Sequence, residues 1–360
     1  MYIQENTELL FIGTRLGAGL ASLQIAGFDS LNGTISTLAT INTVDAPTFV
    51  VRHPKLPLLY AVQETEATDG QTGGAVVAIP FDQTYCNQVS VLKESGGTFP
   101  CHLHIDSEGS TLFVSNYGNG VFTVFFLDSD GFPKEISQKF SFKGIGYRGD
   151  RQECSHIHSS LLSPDEKFIY VADLGLDRIV RYSCERRPSR PLYLTDPKFF
   201  SVAKGSGPRH MHFSRDKRFL YVVEELSNEI SVFSYESTNG DLALIQTIST
   251  LEEDQHDSNT AADIHITEEG NHLYVSNRGY DSIAMYSVDR RNGKLQYIGS
   301  VSCHGSHPRN FTLYHQDKWI LVAHADSDTV VVCPIIKGSG AIEAPVHIHN
   351  IHQPMCLCWA

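Results

Sequence analysis

Apolar bursts of four or five residues alternate with polar turns along the whole chain. One burst reads Phe219-Leu-Tyr-Val-Val, and related bursts recur roughly every fifty residues. A polar turn such as Ser214-Arg-Asp-Lys precedes a burst, and an alternating run such as Ile230-Ser-Val-Phe-Ser-Tyr follows it. The central residues of the bursts, called anchors below, are Phe11, Tyr60, Phe113, Tyr170, Tyr221, Tyr274 and Leu321. Self-similarity at one period predicts seven copies of one structural unit.

Each repeat has the pattern of a four-stranded antiparallel sheet. The burst and the run after it are typical of two strands, and Asn239-Gly and Asn292-Gly supply the tight turns that hairpins prefer. No segment longer than about two turns shows a helical period. Radial repetition of such sheets is a β-propeller. The sequence therefore predicts an all-β, seven-bladed β-propeller of four-stranded blades, in which residues 1–360 form a single domain.

The two ends of the chain carry complementary parts of one blade. Gln353-Pro-Met-Cys-Leu-Cys-Trp-Ala has the pattern of an inner strand with no burst after it, whereas Glu8-Leu-Leu-Phe-Ile-Gly is a burst with no inner strand before it. We therefore expect the C-terminal strand to pair into the blade that residues 9–45 begin, which would close the propeller. A closed propeller exposes no sheet edge, so we expect a monomer.

Composition and charge narrow the range of partners. With 41% hydrophobic residues and no run of about 18 apolar ones, the chain can build a core but not a membrane span. Lys+Arg 28 against Asp+Glu 41 gives a net charge of −13, which argues against nucleic acid. Eight scattered cysteines and an N-terminus without a signal-peptide pattern favour the reducing cytoplasm. The expected partner is a small molecule.

Polar residues recur at two positions of the repeat that a propeller brings to one rim. One set follows the head of each inner strand, and the other lies three or four residues past an anchor. Arginine matches the geometry of carboxylate and phosphate groups, and histidine or carboxylate can move protons near neutral pH. These residues predict a site for an anionic, oxygen-rich ligand. The first set contains His156, His158, Arg209, His210 and Arg309, and the second contains Asp173, Glu225, Asn277 and Arg278.

Other interpretations of these residues are open at this point. His156 and His158 could be a metal pair, but two ligands without a nearby third are a weak signal, so we predict no metal. Asp173 could equally cap backbone amides in a turn. Ser159-Ser160 lacks a nucleophile elbow, and the chain has no glycine-rich phosphate loop. We therefore expect neither serine catalysis nor a cofactor.

Eight strings in register with the repeats resemble one known family. They are Ser115-Asn-Tyr-Gly-Asn-Gly, Arg151-Gln-Glu-Cys-Ser-His-Ile-His, Asp173-Leu-Gly-Leu-Asp-Arg, Gly205-Ser-Gly-Pro-Arg-His, Glu225-Leu-Ser-Asn, Ala261-Ala-Asp-Ile-His, Ser276-Asn-Arg-Gly and His307-Pro-Arg-Asn. The family is that of the seven-bladed-propeller lactonases, which includes the bacterial cycloisomerase-type 6-phosphogluconolactonases and fungal carboxy-muconate cyclising enzymes. The resemblance runs from about residue 9 to residue 336. This chain departs from it at Gln63-Glu64, where Asn-Glu is usual, and at Asp263, where many members carry Glu.

The resemblance implies a lactonase without a metal or a covalent intermediate. Carried over position by position, the catalytic residues are His158, Arg209, Glu225 and Arg278, with His156, Asp173 and Arg309 nearby. The implied reaction is hydrolysis of 6-phospho-D-glucono-1,5-lactone in the pentose phosphate pathway, with His158 or Glu225 activating water and arginines holding the phosphate or the oxyanion. Two alternatives are cyclisation of a carboxy-muconate-type dicarboxylate and a non-catalytic propeller that binds a ligand or a protein.

Overall fold

The chain is almost entirely β-structure wherever its structure is described. The computed structural model describes residues 6–66, 73–81, 91–186, 192–252, 258–314 and 316–360. Within these ranges we find twenty-eight β-strands and one 3₁₀ turn, Leu174–Leu176. None of the helical structure in the described ranges is long and apolar enough to cross a membrane. The predicted all-β class is confirmed.

The strands are numbered in chain order. The first fourteen are β1 (Thr7–Thr14), β2 (Leu23–Asp29), β3 (Thr34–Ile41), β4 (Val50–Arg52), β5 (Leu58–Gln63), β6 (Ala75–Pro80), β7 (Val91–Glu94), β8 (Pro100–Ile105), β9 (Thr111–Asn116), β10 (Val121–Leu127), β11 (Pro133–Ser141), β12 (Ile157–Leu162), β13 (Phe168–Asp173) and β14 (Arg178–Arg186). The others are β15 (Leu192–Ser201), β16 (Pro208–Phe213), β17 (Phe219–Glu224), β18 (Glu229–Glu236), β19 (Asp241–Ser249), β20 (Thr260–Ile266), β21 (His272–Arg278), β22 (Ser282–Val288), β23 (Leu295–Ser302), β24 (Pro308–Tyr314), β25 (Trp319–His324), β26 (Thr329–Pro334), β27 (His347–Asn350) and β28 (Pro354–Trp359).

The described strands form seven four-stranded sheets, which are the blades of the predicted propeller. In order, the blades are β28-β1-β2-β3, β4-β5-β6-β7, β8-β9-β10-β11, β12-β13-β14-β15, β16-β17-β18-β19, β20-β21-β22-β23 and β24-β25-β26-β27. Blade 1 is completed as expected, because the C-terminal strand pairs antiparallel with β1 and places Leu10 opposite Trp359. Pairing the two ends of the chain in one sheet fixes both of them in the fold.

Burial explains why the anchors recur. All seven anchors lie on the second strand of a blade and are fully buried. Strand β17 is buried at all six positions, whereas the fourth strand of the same blade, β19, is largely exposed. A strand covered on both faces reads as a continuous apolar run, and this is the burst seen in the sequence.

The described residues divide into two compact units. Unit 1 comprises Met1–Leu16, Leu23–Ile41 and His212–Ala360, and unit 2 comprises Gly17–Ser22 and Asn42–Met211. Inside unit 2, blades 2 and 3 share an apolar core that includes Tyr60 and Leu103. Inside unit 1, blades 5 and 6 share one that includes Tyr221 and Ile264. The expectation of a single domain stays a prediction.

A hydrogen bond from a buried tyrosine joins neighbouring blades within each unit. In unit 2, the Tyr60 hydroxyl donates to the carbonyl oxygen of Gly131, in the outer turn of the next blade, at 2.5 Å. In unit 1, Tyr221 donates to Gly293 at 3.1 Å, and Tyr274 donates to Gly340 at 2.8 Å. Burial raises the pKa of all three phenols, so they remain protonated donors at neutral pH.

The glycines in these turns are required by packing as well as by backbone conformation. Gly293 has φ +74°, and a Cβ there would lie 2.3 Å from the ring of Phe219, two residues before the anchor. The turn glycines of the other two pairs meet the residue at the same position, Leu58 or His272, when a Cβ is added. Where the anchor is Leu321 and has no hydroxyl, the indole of Trp319 donates to the carbonyl oxygen of Ser30 at 2.8 Å. The same blade-to-blade contact therefore recurs with different side chains.

Replacing Gly293 with alanine tests this contact. Ala at a left-handed φ costs about 1–2 kcal/mol by itself, and the clash with Phe219 adds to that cost. We expect Gly293→Ala to lower the free energy of unfolding by at least about 1 kcal/mol more than Gly338→Ala. Gly338 is the matched control, because it has φ +93° and nothing within 4 Å of an added Cβ. If urea unfolding showed that the two variants lose the same free energy of unfolding, the proposed packing of Gly293 against Phe219 would be contradicted.

Candidate active site

The predicted site residues lie where first strands begin and second strands end. His156 and His158 flank the first residue of β12, and Asp173 ends β13, where Ile157 pairs with Asp173. In blade 6, Arg278 ends β21 and pairs with Thr260 at the start of β20. The two repeated polar positions are therefore neighbours within a blade, as the sequence pattern predicts.

Three imidazoles lie together in unit 2. The ring centroid of His210 is 5.4 Å from that of His158 and 5.5 Å from that of His102. Phe49 packs on His102 at 4.4 Å, and the ring of Tyr117 meets that of His158 nearly at right angles at 5.6 Å. His158 and His210 are buried. Imidazole is the side chain best suited to exchange protons near neutral pH, so this group can carry acid–base chemistry.

Arg209, which precedes His210 on β16, brings a positive charge into the interior of unit 2. Its side chain is among the largest that are fully buried, with 1% of the residue exposed. The hydroxyl of Ser159 donates to its carbonyl oxygen, which ties β16 to β12. A guanidinium stays protonated in proteins, and a buried charge is costly unless it is paired and hydrogen-bonded. Arg209 therefore carries a fixed positive charge in the interior of unit 2, and its role as an anion ligand stays a prediction.

His156 and Asp173 are held by local contacts. The Nδ1 atom of His156 lies 2.8 Å from the carbonyl oxygen of Tyr117, and the two rings stack at 4.3 Å. Asp173 accepts the backbone N–H of His156 at 3.1 Å and pairs with Arg178 at 3.2 Å. Burial raises the pKa of Asp173, and Arg178 opposes that shift. One oxygen of Asp173 thus holds the start of β12 and the other holds Arg178 at the start of β14, which is the turn-capping alternative for this residue.

Unit 1 holds a buried ion pair. Arg278 Nη2 lies 3.1 Å from Glu225 Oε2, and the two side chains are 7% and 4% exposed. The guanidinium also donates to the carbonyl oxygens of Thr260 and Ala261. These contacts fix the orientation of the guanidinium, so the carboxylate and the cation are preorganised as a pair.

Asn277 serves the framework of the same blade. Its side-chain oxygen accepts hydrogen bonds from Thr250 at 2.8 Å and Asn259 at 3.1 Å, and its amide nitrogen donates to the carbonyl oxygen of Thr250 at 2.9 Å. The residue is fully buried. The side chain of Asn277 is therefore held in a network of amides and hydroxyls. These hydrogen bonds are made with Thr250 and Asn259 and not with the Glu225–Arg278 pair.

The positive charges of three arginines act on His307 in unit 1. Burial lowers the pKa of His307 to about 4, assisted by the positive charges of Arg278, Arg309 and Arg15 and opposed by Asp326. Coulomb effects decline with distance, so each of the three charges is close enough to act on this imidazole. Arg309 was expected, but Arg15 and His307 were missed. Arg15 lies four residues past the anchor Phe11, so counting along the first repeat could have found it.

The predicted site residues thus fall into two groups. His156, His158, Asp173, Arg209 and His210 belong to unit 2, and Glu225, Asn277, Arg278 and Arg309 belong to unit 1. Inside each unit the structure brings basic and proton-carrying side chains together. The expectation that both groups converge on one ligand stays a prediction.

Comparisons with known proteins agree with this picture. Residues 9–359 match the family model described as a lactonase, 7-bladed beta-propeller. A 6-phosphogluconolactonase of Formosa agariphila is 32% identical over 330 residues, which cover 90% of this chain and 91% of the relative. A 6-phosphogluconolactonase of Bacillus subtilis is 28% identical over 349 residues, which cover 96% of this chain and 97% of the relative. The structure of a periplasmic gluconolactonase of Pseudomonas aeruginosa has a TM-score of 0.90 at 28% identity, covering 98% of this chain and 99% of that chain.

Fold and similarity together define a class of protein: a β-propeller enzyme that acts on lactones. The chain belongs to the seven-bladed β-propeller lactonase family. The predicted propeller and the predicted lactonase are confirmed, and the non-catalytic alternative is set aside.

The Glu225–Arg278 pair can be tested through stability. Replacing Arg278 with methionine removes a cation from a buried carboxylate, so we expect the free energy of unfolding to fall by about 3 kcal/mol. The double variant Arg278→Met/Glu225→Gln removes both charges and should recover most of the loss. The control is Arg291→Met, because Arg291 pairs with Asp289 while 90% exposed, and its replacement should lower the free energy of unfolding much less. If the Arg278 and Arg291 variants lost equal stability, the buried pair would stabilise the fold no more than the exposed pair does.

Proposed function

We propose that the enzyme hydrolyses 6-phospho-D-glucono-1,5-lactone to 6-phosphogluconate. The observation that carries this proposal is the Glu225 carboxylate paired with Arg278, whose charge acts together with those of Arg309 and Arg15 at His307. A base beside a cluster of cations suits an anionic substrate that is attacked by water. The names of two relatives, both 6-phosphogluconolactonases, support the same substrate.

The phosphate is assigned to Arg309 and Arg15. A phosphate group near neutral pH carries a charge between −1 and −2, and guanidinium forks match its oxygens. Arg309 is partly buried and Arg15 is exposed, so a ligand can reach both side chains. With its lowered pKa, His307 is neutral near pH 7, and the arginines provide the positive charge there.

In the proposed reaction, Glu225 is the general base. It takes a proton from water as the water oxygen attacks the lactone carbonyl carbon, and Arg278 stabilises the resulting oxyanion. The intermediate collapses by breaking the bond between that carbon and the ring oxygen, which receives the proton from Glu225. The product is the open hydroxy acid, which then ionises. Arg209 is retained as an oxyanion or phosphate ligand on the basis of the family resemblance.

The other expected properties are part of the proposal. The step needs no metal and no covalent intermediate, so a chelator is expected to leave the rate unchanged. The enzyme is proposed to act as a cytoplasmic monomer. No two of the seven cysteines that the structure describes form a disulfide with each other, which is compatible with a reducing compartment.

Substitutions at the proposed base test the mechanism. We expect Glu225→Gln to lower kcat by about 100-fold or more, because an amide cannot accept the proton of water. Arg209→Ala should lower kcat/KM by about 100-fold as well. The assay follows loss of the lactone after subtraction of its spontaneous hydrolysis. Arg291→Ala, on an exposed turn, is the control and should keep the full rate.

The outcome also separates the two candidate bases. If Glu225→Gln kept its rate while His158→Gln lost it, the base would be His158 and the proposed role of Glu225 would be wrong. If both variants and Arg209→Ala all kept the full rate, the proposed site itself would be wrong.

Selectivity for the phosphorylated lactone is a separate prediction. Arg309→Ala and Arg15→Ala should each reduce kcat/KM for 6-phosphogluconolactone by about tenfold, since a hydrogen bond to a charged group contributes about 1.5–3 kcal/mol. The same variants should leave kcat/KM for unphosphorylated glucono-1,5-lactone nearly unchanged. Equal losses of kcat/KM on both substrates would show that these arginines do not bind the phosphate group.

A further inference from the structure

We propose that Glu153, Cys154 and His156 bind one divalent metal ion of the zinc type. The three residues lie in the segment that leads into β12, just before His158. The inference goes beyond lactone hydrolysis, in which no metal was assigned. It also gives His156 a different role from the substrate contact expected from the sequence.

The donor atoms lie close enough together to share one metal ion. Glu153 offers a carboxylate oxygen, Cys154 its sulfur and His156 a ring nitrogen, and these atoms all lie within 4.8 Å of one another. His156 Nε2 is 3.3 Å from Glu153 Oε1 and 3.8 Å from Cys154 Sγ. Bonds of about 2.0 Å to N and O and 2.3 Å to S at tetrahedral angles give N–O and N–S separations of about 3.3 and 3.5 Å.

The orientation of His156 is a second, independent observation. Its Nδ1 atom lies 2.8 Å from the carbonyl oxygen of Tyr117, a group that can only accept a hydrogen bond. Nδ1 therefore carries the proton, and in the neutral imidazole Nε2 presents a lone pair toward Glu153. Anchoring one ring nitrogen on a carbonyl while the other faces outward is the usual arrangement of a metal-ligating histidine.

Two acceptors that face each other at 3.3 Å require a proton or a metal ion between them. A shared proton is one possibility, and a metal ion shared with the neighbouring thiol is the other. The sulfur lies 3.9 Å from Nδ1 and 3.8 Å from Nε2, so it is about equally far from both nitrogens and must move toward Nε2 to join the ion. Cys154 is only partly buried and Glu153 is 61% exposed, so both side chains have room to adjust.

The donor set selects the kind of metal. One nitrogen, one sulfur and one oxygen suit zinc, which prefers four-coordinate sites with such ligands, whereas magnesium and calcium prefer oxygen ligands alone. Three protein ligands leave a fourth position for water. Binding would deprotonate the Cys154 thiol and release that proton to solvent.

The backbone of the segment is already held in place. A Cβ at Gly175 would lie 1.9 Å from the carbonyl oxygen of Cys154, so the 3₁₀ turn packs directly on this segment. Gln152 donates to Asp177 at 2.6 Å and to the carbonyl oxygen of Leu174 at 2.8 Å. The ligands thus start from a fixed backbone, and mainly side-chain rotation is needed to bind the ion.

Metal titration of the purified protein tests the site without reference to lactonase activity. After removal of metals with a chelator and dialysis against zinc, we expect one zinc per chain by metal analysis. Cobalt should give the near-ultraviolet charge-transfer absorption of a thiolate–cobalt bond, and this absorption should be absent in Cys154→Ser. Glu153→Gln, at an exposed position that folding tolerates, should weaken zinc binding by at least about tenfold.

Cys184→Ser is the matched control, because Cys184 is also partly buried in unit 2 and lies outside the group of ligands. It should bind zinc and show the cobalt absorption like the unmodified protein. The proposal is overturned if the unmodified protein binds no zinc, or if Cys154→Ser and Glu153→Gln bind zinc as tightly as Cys184→Ser. In that case His156 is a hydrogen-bond partner of Glu153 and nothing more.

Discussion

The contact between a second strand and the outer turn of the next blade is the interaction on which the rest of the fold depends. Tyr221 and Phe219 show its two parts: a hydroxyl that bonds the Gly293 carbonyl, and a ring pressed against a glycine that can carry no side chain. The contact recurs in both units, with Trp319 donating where the anchor is Leu321. Within each unit it holds a second strand against the outer turn of the next blade.

The chemistry depends on that rigidity. The candidate residues lie at or next to strand starts and strand ends, where first and second strands pair with each other. Burying Arg209 and the Glu225–Arg278 pair costs free energy. A rigid scaffold can keep these charges buried, and they are then already oriented before a substrate binds. A chain with a net charge of −13 can therefore still present a local cluster of arginines to an anion.

The sequence predicted the propeller fold better than it predicted the contacts of the candidate active site. The buried anchors and the shared terminal blade follow from periodicity, because a strand covered on both faces must be apolar throughout. Residue type alone did not reveal that the side-chain amide of Asn277 forms hydrogen bonds with Thr250 and Asn259, because these partners are placed by the loops between strands. Likewise, two histidines suggested no metal, because the sequence could not show that Cys154 and Glu153 approach His156.

The central claim is that this chain catalyses opening of a phosphorylated sugar lactone. The most direct measurement follows 6-phospho-D-glucono-1,5-lactone by NMR at a pH where its spontaneous hydrolysis is slow, with and without the purified protein and in the presence of a chelator. The account predicts that the lactone disappears at a rate proportional to protein concentration and that 6-phosphogluconate is the product. Disappearance at the spontaneous rate at every protein concentration would contradict it.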